Sequence, residues 1–276
     1  MTTQDWLAQA QKRLDQADIP TARLDSLVLL EDLLGKDRAH LLAHPEAKLT
    51  TEQEKVLNEQ VARRAKHEPL AYIRQKIEFY GREFYVDERV LVPRPETETM
   101  LDELKGLELR GQGQGMTLVD VGTGSGAIAI TAKLGLPSAT VFATDVSAEC
   151  ITIAKRNAQN HQTDITFNQG NLLDSLALSP TPYTLLCNLP YVPDDFGINK
   201  AALNEPHQAI FGGEDGLDLY RELFTQISQL QSKPKYILTE SLPFQHEELA
   251  LIAKLQDYNL QQTSDFIQLF VAANHI

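Results

Sequence analysis

The sequence predicts an α/β protein: a mainly parallel sheet of seven strands whose last two run antiparallel, preceded by a small helical bundle and a hairpin linker. Three observations carry this. Apolar residues recur at helical spacing through roughly the first 70 positions. From residue 117, short apolar runs alternate with helical patterns, as parallel strands and their crossover helices must. The chain then ends on two apolar runs, Gln262 to Phe266 and Gln268 to Ala272, too close together for a crossover and therefore an antiparallel pair.

In the bundle, Trp6, Leu7, Ala10 and Leu14 form one stripe. A second, Leu24, Leu27, Val28, Leu30, Leu33 and Leu34, stops at Gly35 as a helix should. Thr51-Glu52-Gln53-Glu54 has a capping-box pattern and opens a third helix carrying Val56, Leu57, Val61 and Ala65. The stripes read as bundle core rather than as a ligand pocket. At Glu78 the period changes. Phe79 to Val86 is aromatic and β-branched around Gly81, which predicts a short hairpin. In Val92-Pro93-Arg94-Pro95-Glu96-Thr97-Glu98, two prolines stiffen a turn and the acids cap the helix that follows. Leu109 to Gly115 is rich in Gly and Gln and reads as a mobile linker. Strands are expected near 117–121, 140–144, 165–169, 183–187 and 235–240, with helices near 125–135, 147–160, 216–230 and 243–256. The organisation predicted is a bundle over 1–77, a linker over 78–92 and a catalytic domain over 93–276.

The bulk properties narrow the function. At 276 residues the chain fits a catalytic domain with a smaller companion. No apolar run approaches the roughly 18 residues needed to span a bilayer, and Met1 to Asp5 lacks the basic start of a signal peptide, so a cytoplasmic protein without a membrane is expected. Cys150 and Cys187 fall in a helix and a buried strand and read as reduced core residues, with no metal site. The net charge is −13. Residues 1–85 carry 13 Lys and Arg against 14 Asp and Glu, whereas residues 86–276 carry 12 against 24. An acidic catalytic half opposes gripping a nucleic-acid backbone, so no direct nucleic-acid contact is expected.

Two stretches carry chemistry. Asn188-Leu189-Pro190-Tyr191 follows the apolar run Tyr183 to Cys187, which places Asn188 at the carboxyl end of a strand, where open α/β sheets bind ligands. A planar NH2 group needs two acceptors, and the Asn188 side-chain oxygen with the Leu189 carbonyl can supply them. Pro190 biases Leu189 toward extended backbone, and Tyr191 offers a flat packing face. Taken alone, the tetrapeptide also reads as a turn. The second stretch, Asp120-Val121-Gly122-Thr123-Gly124-Ser125-Gly126-Ala127, is a strand running into a glycine turn that opens a helix. It satisfies a loose dinucleotide fingerprint. However, Asp120 suits the cationic amino-acid part of S-adenosyl-L-methionine better than a pyrophosphate, and Asp145, closing the next strand, can take both ribose hydroxyls.

With these residues in view, the chain resembles the release-factor glutamine methyltransferases (HemK/PrmC-like), class I adenosylmethionine enzymes. The resemblance runs through Ala22-Arg23-Leu24-Asp25, Glu68-Pro69-Leu70-Ala71-Tyr72-Ile73, Phe79-Tyr80-Gly81, the Arg94-Pro95-Glu96-Thr97-Glu98 stretch, Glu205-Pro206 and Gly212 to Asp218. It implies a Rossmann-like class I methyltransferase domain and methylation of the side-chain amide (N5) of the glutamine in the Gly-Gly-Gln motif of peptide-chain release factors. It also implies docking of the release factor by the bundle. Asn188, Leu189, Pro190 and Tyr191 are the implied catalytic and substrate-binding residues. Asp120, Gly122, Thr123, Gly124, Ser125, Gly126, Asp145, Asn171, Leu172 and Asn188 are the implied cofactor shell. No metal is implied, no strong general base is needed, and a monomer is the default. Two positions depart from the family pattern: Leu189 stands where Pro is usual, and Leu172 where an aromatic residue is usual. Two alternatives stay open on the sequence, adenine-N6 methylation of RNA or DNA and a catalytically weakened cofactor-binding partner of release factors.

Overall fold

A computed structural model describes residues 1–109, 115–176 and 182–273, which form two compact units, Met1–Lys76 with Ile198–Asn204, and Ile77–Gly197 with Glu205–Ile276. The core of the expected linker, 110–114, lies outside the described residues.

The first unit is a helical bundle: α1 (Thr3–Asp15), α2 (Ala22–Leu34), α3 (Arg38–Ala43), α4 (Thr51–Arg64) and α5 (Leu70–Arg74). Trp6, Leu14, Leu29, Leu30, Leu57 and Val61 form its core, and the Trp6 indole N–H is satisfied by Asn58 Oδ1 at 3.1 Å. Helix α2 stops at Gly35, whose φ of 59° needs a residue without a Cβ penalty. The capping box of α4 is built one residue earlier than its pattern suggested: Thr50 is the cap and Gln53 returns the bond. Leu24 and Val56, expected in the core, are exposed. Both lie at the margin of their stripes, where α2 and α4 already bury a full face. Beneath that face, Asp25 and Arg64 form a buried ion pair at 2.7 Å, and Arg64 also donates to the Glu68 carbonyl.

The second unit begins with the hairpin β1 (Ile77–Phe79) and β2 (Arg82–Phe84), whose turn residues Tyr80 and Gly81 both have positive φ, matching the twist of a two-residue hairpin. A 3-10 turn, Pro95–Thr97, leads into α6 (Glu98–Leu107). Neither Glu96 nor Glu98 caps that helix by a side-chain hydrogen bond. Glu98 instead accepts the Tyr80 N–H at 2.7 Å, since that turn nitrogen has no strand partner and the carboxylate reaches it.

Then come β3 (Thr117–Val121), α7 (Ala127–Gly135), β4 (Thr140–Asp145), α8 (Ala148–Asn160), β5 (Thr166–Gln169), β6 (Tyr183–Cys187), α9 (Asp218–Gln229), β7 (Tyr236–Glu240), α10 (His246–Lys254), β8 (Tyr258–Ser264) and β9 (Ile267–Ala272). The sheet order is β5-β4-β3-β6-β7-β9-β8, parallel from β5 to β7, with β9 antiparallel to both its neighbours. Strands β6 and β7 are buried at every residue, as apolar parallel strands covered on both faces must be. One face packs on α6 and α7 through Met100, Leu104 and Ile130, the other on α9 and α10 through Tyr220, Phe224 and Leu249. The seven-stranded α/β architecture with its antiparallel end is as the sequence predicted.

One strand is misplaced by the sequence pattern. The first of the last pair runs Tyr258–Ser264, four residues earlier than expected, and Asp265 and Phe266 form the turn. It is an edge strand with Gln261 and Thr263 toward solvent and a bulge between Leu260 and Gln262, so it shows no apolar run to read.

Candidate active site

The strand order reverses between β3 and β6. Crossovers lead from β3 outward to β4 and β5 on one side, and from β6 to β7 on the other. The loops leaving the carboxyl ends of β3 and β6 therefore diverge and leave a crevice, the place where such sheets bind ligands. These are the two stretches singled out from the sequence, the glycine turn after Val121 and Asn188 to Tyr191. They touch: a Cβ on Gly122, whose φ is 74°, would sit 3.1 Å from Leu189 Cδ2. Leu189 is itself 2% exposed and belongs to the core under α9, so its side chain seals the base of the crevice.

A cleft opens there, lined by Gly122, Gly124, Asp145, Asn171, Leu172, Asn188, Leu189 and Pro190 among others. Asp145 Oδ2 accepts the Gly124 N–H and Oδ1 the Ser147 N–H, each at 2.9 Å. Both oxygens are thus aimed by the backbone, and each keeps a lone pair for a vicinal diol. Burial pushes the Asp145 carboxyl up from its usual range. Leu172, also in the lining, holds a left-handed φ of 52°, unusual for a branched apolar residue. Asn171 donates to Glu222 Oε1 at 2.5 Å.

Four residues of the implied cofactor shell stand behind the cleft wall rather than in it. Asp120 is fully buried; its Oδ2 accepts from Thr123 Oγ1 at 2.6 Å and from the Ala129 N–H at 3.1 Å, tying the glycine turn to the first turn of α7. Its Oδ1 has no partner, an acceptor awaiting a donor. Ser125 is buried and its carbonyl accepts from Asn157 Nδ2 at 2.8 Å, while Gly126 opens α7 with φ 82°. An orphaned buried carboxylate oxygen, a diol-ready Asp145 and backbone bared at glycine form a donor set that fits S-adenosyl-L-methionine. The cleft also includes Arg89, Leu91, Val146, Cys150, Pro206 and Leu219, which sequence reasoning missed. Val146 carried a signal, being apolar and directly after a strand-end acid.

Burial raises Asp120 to about 7, with the nearby Asp145 charge adding to it against the hydrogen bonds from Thr123 and Ala129. A carboxyl raised in the folded state stabilises the fold below its unfolded value and ceases to as pH climbs through the folded one. The unliganded protein should therefore lose stability between about pH 4 and 7, and Asp120→Asn should flatten that slope. Denaturant midpoints at pH 5 and pH 8, followed by circular dichroism, check this.

The Asn188 loop is held from three directions. Asn188 Nδ2 donates to Thr97 Oγ1 at 3.0 Å, which leaves Oδ1 as the open end of the amide. The Tyr191 carbonyl accepts from Gln245 Nε2 at 2.8 Å, and the Tyr191 hydroxyl donates to Glu240 Oε1 at 3.0 Å. Below them the Tyr220 hydroxyl lies 2.6 Å from the Glu240 carbonyl and 3.0 Å from that of Cys187, joining the ends of β7 and β6. The Gly212 to Asp218 segment closes from above, with Gly212 N–H donating to Val192 O at 2.9 Å. A Cβ on Gly212 would collide with the Pro190 and Gly216 carbonyls, which explains a glycine there. His207, given no role from the sequence, stacks on Phe211.

The family model of a PrmC N-terminal domain matches residues 5–74, and that of a methyltransferase domain matches residues 112–270. Among curated proteins, the release factor glutamine methyltransferase of Koribacter versatilis (strain Ellin345) is 38% identical over 230 residues, covering 82% of this chain and 81% of that one. The chain belongs to the release factor glutamine methyltransferase family. The Deinococcus radiodurans member is 36% identical with the same coverage, and the Coxiella burnetii member 33% identical, covering 86% of this chain and 85% of its own. Among solved structures, the hMettl16 catalytic domain in complex with a 3′UTR hairpin superposes with a TM-score of 0.56 at 16% identity, covering 90% of this chain and 91% of that one. At that identity the likeness is one of fold. Two of the segments that carry the resemblance, Arg94 to Glu98 and Glu205, are far apart in sequence and meet in the structure: Glu205 accepts the Val92 N–H at 2.9 Å and pairs with Arg94 at 2.5 Å.

Proposed function

We propose that the Asn188 side-chain oxygen and the Leu189 carbonyl accept the two N–H groups of the glutamine amide in the Gly-Gly-Gln motif of a release factor, with Tyr191 packing on the substrate. The family activity is transfer of a methyl group from S-adenosyl-L-methionine to the side-chain amide of a release-factor glutamine. The observation that supports the residue assignment is the Asn188–Thr97 hydrogen bond, which engages the amide nitrogen and leaves Oδ1 to accept, on a residue lining the same cleft as Gly122, Gly124 and Asp145.

Bound in that cleft, S-adenosyl-L-methionine supplies an electrophilic methyl carbon on its sulfonium. The Asp145 carboxylate would hold the ribose diol, and the bared backbone at Gly122 and Gly124 would let the cofactor lie close. An amide nitrogen is a poor nucleophile because its lone pair is delocalised into the carbonyl. Two acceptors on its N–H groups counter this by orienting the nitrogen and stabilising the positive charge that develops there. The proton can leave after transfer, when the nitrogen has become acidic, so no strong base is required at the amide. In this reading the bundle docks the release factor, and the protein acts as a cytoplasmic monomer. Among the described residues no helix is long and apolar enough to cross a membrane.

The test is methyl transfer from labelled adenosylmethionine to a folded release factor, beside the same factor with Ala in place of that Gln. Label on the first alone is the expected result. Label on neither, with cofactor binding shown by calorimetry, would overturn the amide assignment. The adenine alternative has no specific support here, since an acidic catalytic half opposes it and the RNA-bound neighbour shares only the fold.

A further inference from the structure

The end of β7 carries a glutamate that the reaction, as derived above, does not use. Glu240 is fully buried, one sheet position from the Asn188 loop, at the ligand-binding edge of the sheet. Its Oε1 accepts from Tyr191, whereas its Oε2 is buried without a hydrogen bond; the Thr97 hydroxyl lies beside the carboxylate and favours its charged form. Thr97 is equally buried and at the same time accepts from Asn188 Nδ2.

These contacts have a direction. A carboxylate can only accept, so it draws the Thr97 O–H toward itself. The Thr97 oxygen is then left to accept, which it can do only from the nitrogen of Asn188 and not from its oxygen. The Asn188 oxygen is thereby presented outward. Were the acid replaced by a donor, Thr97 could turn its proton to Asn188 Oδ1, and the amide would flip and face a substrate NH2 with another NH2. We propose that Glu240 is the positioning residue of the acceptor site: through Thr97 it sets which end of the Asn188 amide meets the substrate, and directly it fixes the Tyr191 ring. This rests on the reading of Asn188 as the amide acceptor.

The groups facing Glu240 are Arg94 and Glu96 from the segment before α6, Tyr191 from the acceptor loop and Tyr220 from α9. Arg94 favours the charged form but shares its guanidinium with Glu205, and Glu96 opposes it. Burial is the largest influence and raises the carboxyl to about 7. The ionised form is the one that orders Thr97, so transfer should rise with pH across neutrality and fall below it.

The experiment uses full-length protein with labelled Asn side chains, wild type, Glu240→Gln and, as a separate probe of the link, Thr97→Val. Cofactor affinity by calorimetry confirms folding in each. In wild type, the Asn188 side-chain amide resonances should titrate near pH 7, and kcat for transfer should follow the same curve. In both variants the titration should vanish, and kcat should drop about 10- to 100-fold with cofactor affinity within about twofold. Thr97→Ser should restore both. Wild-type transfer together with unchanged kcat and pH profile in Glu240→Gln overturns the proposal. A titrating Asn188 in a protein that does not label the release-factor glutamine leaves the link standing and overturns the acceptor reading, and with it the catalytic purpose of the link.

Discussion

Replacing Asn188 by alanine is expected to lower kcat for methyl transfer by about 10²- to 10³-fold, the usual loss when one preorganised polar contact to a developing charge is removed. Cofactor affinity and fold should stay near wild type. Asn188 lines the cleft and is half-buried, and its hydrogen-bond partner Thr97 retains the Glu240 carboxylate nearby. The Leu189 carbonyl survives the substitution, which is why residual transfer should be measurable rather than absent. Single-turnover labelling separates the chemical step from binding, and calorimetry with the cofactor reports the unchanged site. A loss confined to KM would mean that Asn188 binds substrate and transition state equally and does not favour the charge on nitrogen. No loss at all would remove Asn188 from the reaction and leave the chain a binding module.

Most of the architecture was legible because buried parallel strands are continuous apolar runs. Thr117–Val121 and Tyr183–Cys187 stand between polar stretches and start and stop in the structure where the pattern does. The edge strand Tyr258–Ser264 was not, since one of its faces meets water and its bulge breaks the alternation. In the site, the glycine turn and the acceptor tetrapeptide could be found because each must expose backbone or an amide at a strand end. What stayed hidden were the residues that work through a second residue. Thr97 sat inside a stretch whose prolines and acids suggested only a helix start, and Glu240 looked like the polar end of an apolar strand. The leucine at position 189 was visible as a departure from the family pattern, but its burial against Gly122 depends on β3 and β6 being neighbours, which no local pattern states.

The second large effect belongs to the bundle. Asp25→Ala should destabilise it by about 3–5 kcal/mol, because Arg64 would be left as a buried guanidinium that still donates to the Glu68 carbonyl but has lost its counter-charge. Asp25 is 4% exposed and Arg64 8%, so water cannot replace the lost carboxylate. The readout is unusually clean, since the protein has one tryptophan and it is Trp6, buried in this bundle core. Denaturant unfolding followed by tryptophan fluorescence therefore reports the bundle, and cofactor binding reports the other unit in the same samples. Replacing both partners with apolar residues of similar volume, Asp25→Leu with Arg64→Met, should recover most of the loss, because it removes the unpaired charge and not only the pair. If the single and double variants are equally unstable, packing around α2 and α4 holds the bundle and the ion pair is incidental. If the single variant alone is unstable, Asp25 persists because Arg64 is buried beside it, which gives the Ala22 to Asp25 stretch a structural reason to exist apart from any contact with substrate.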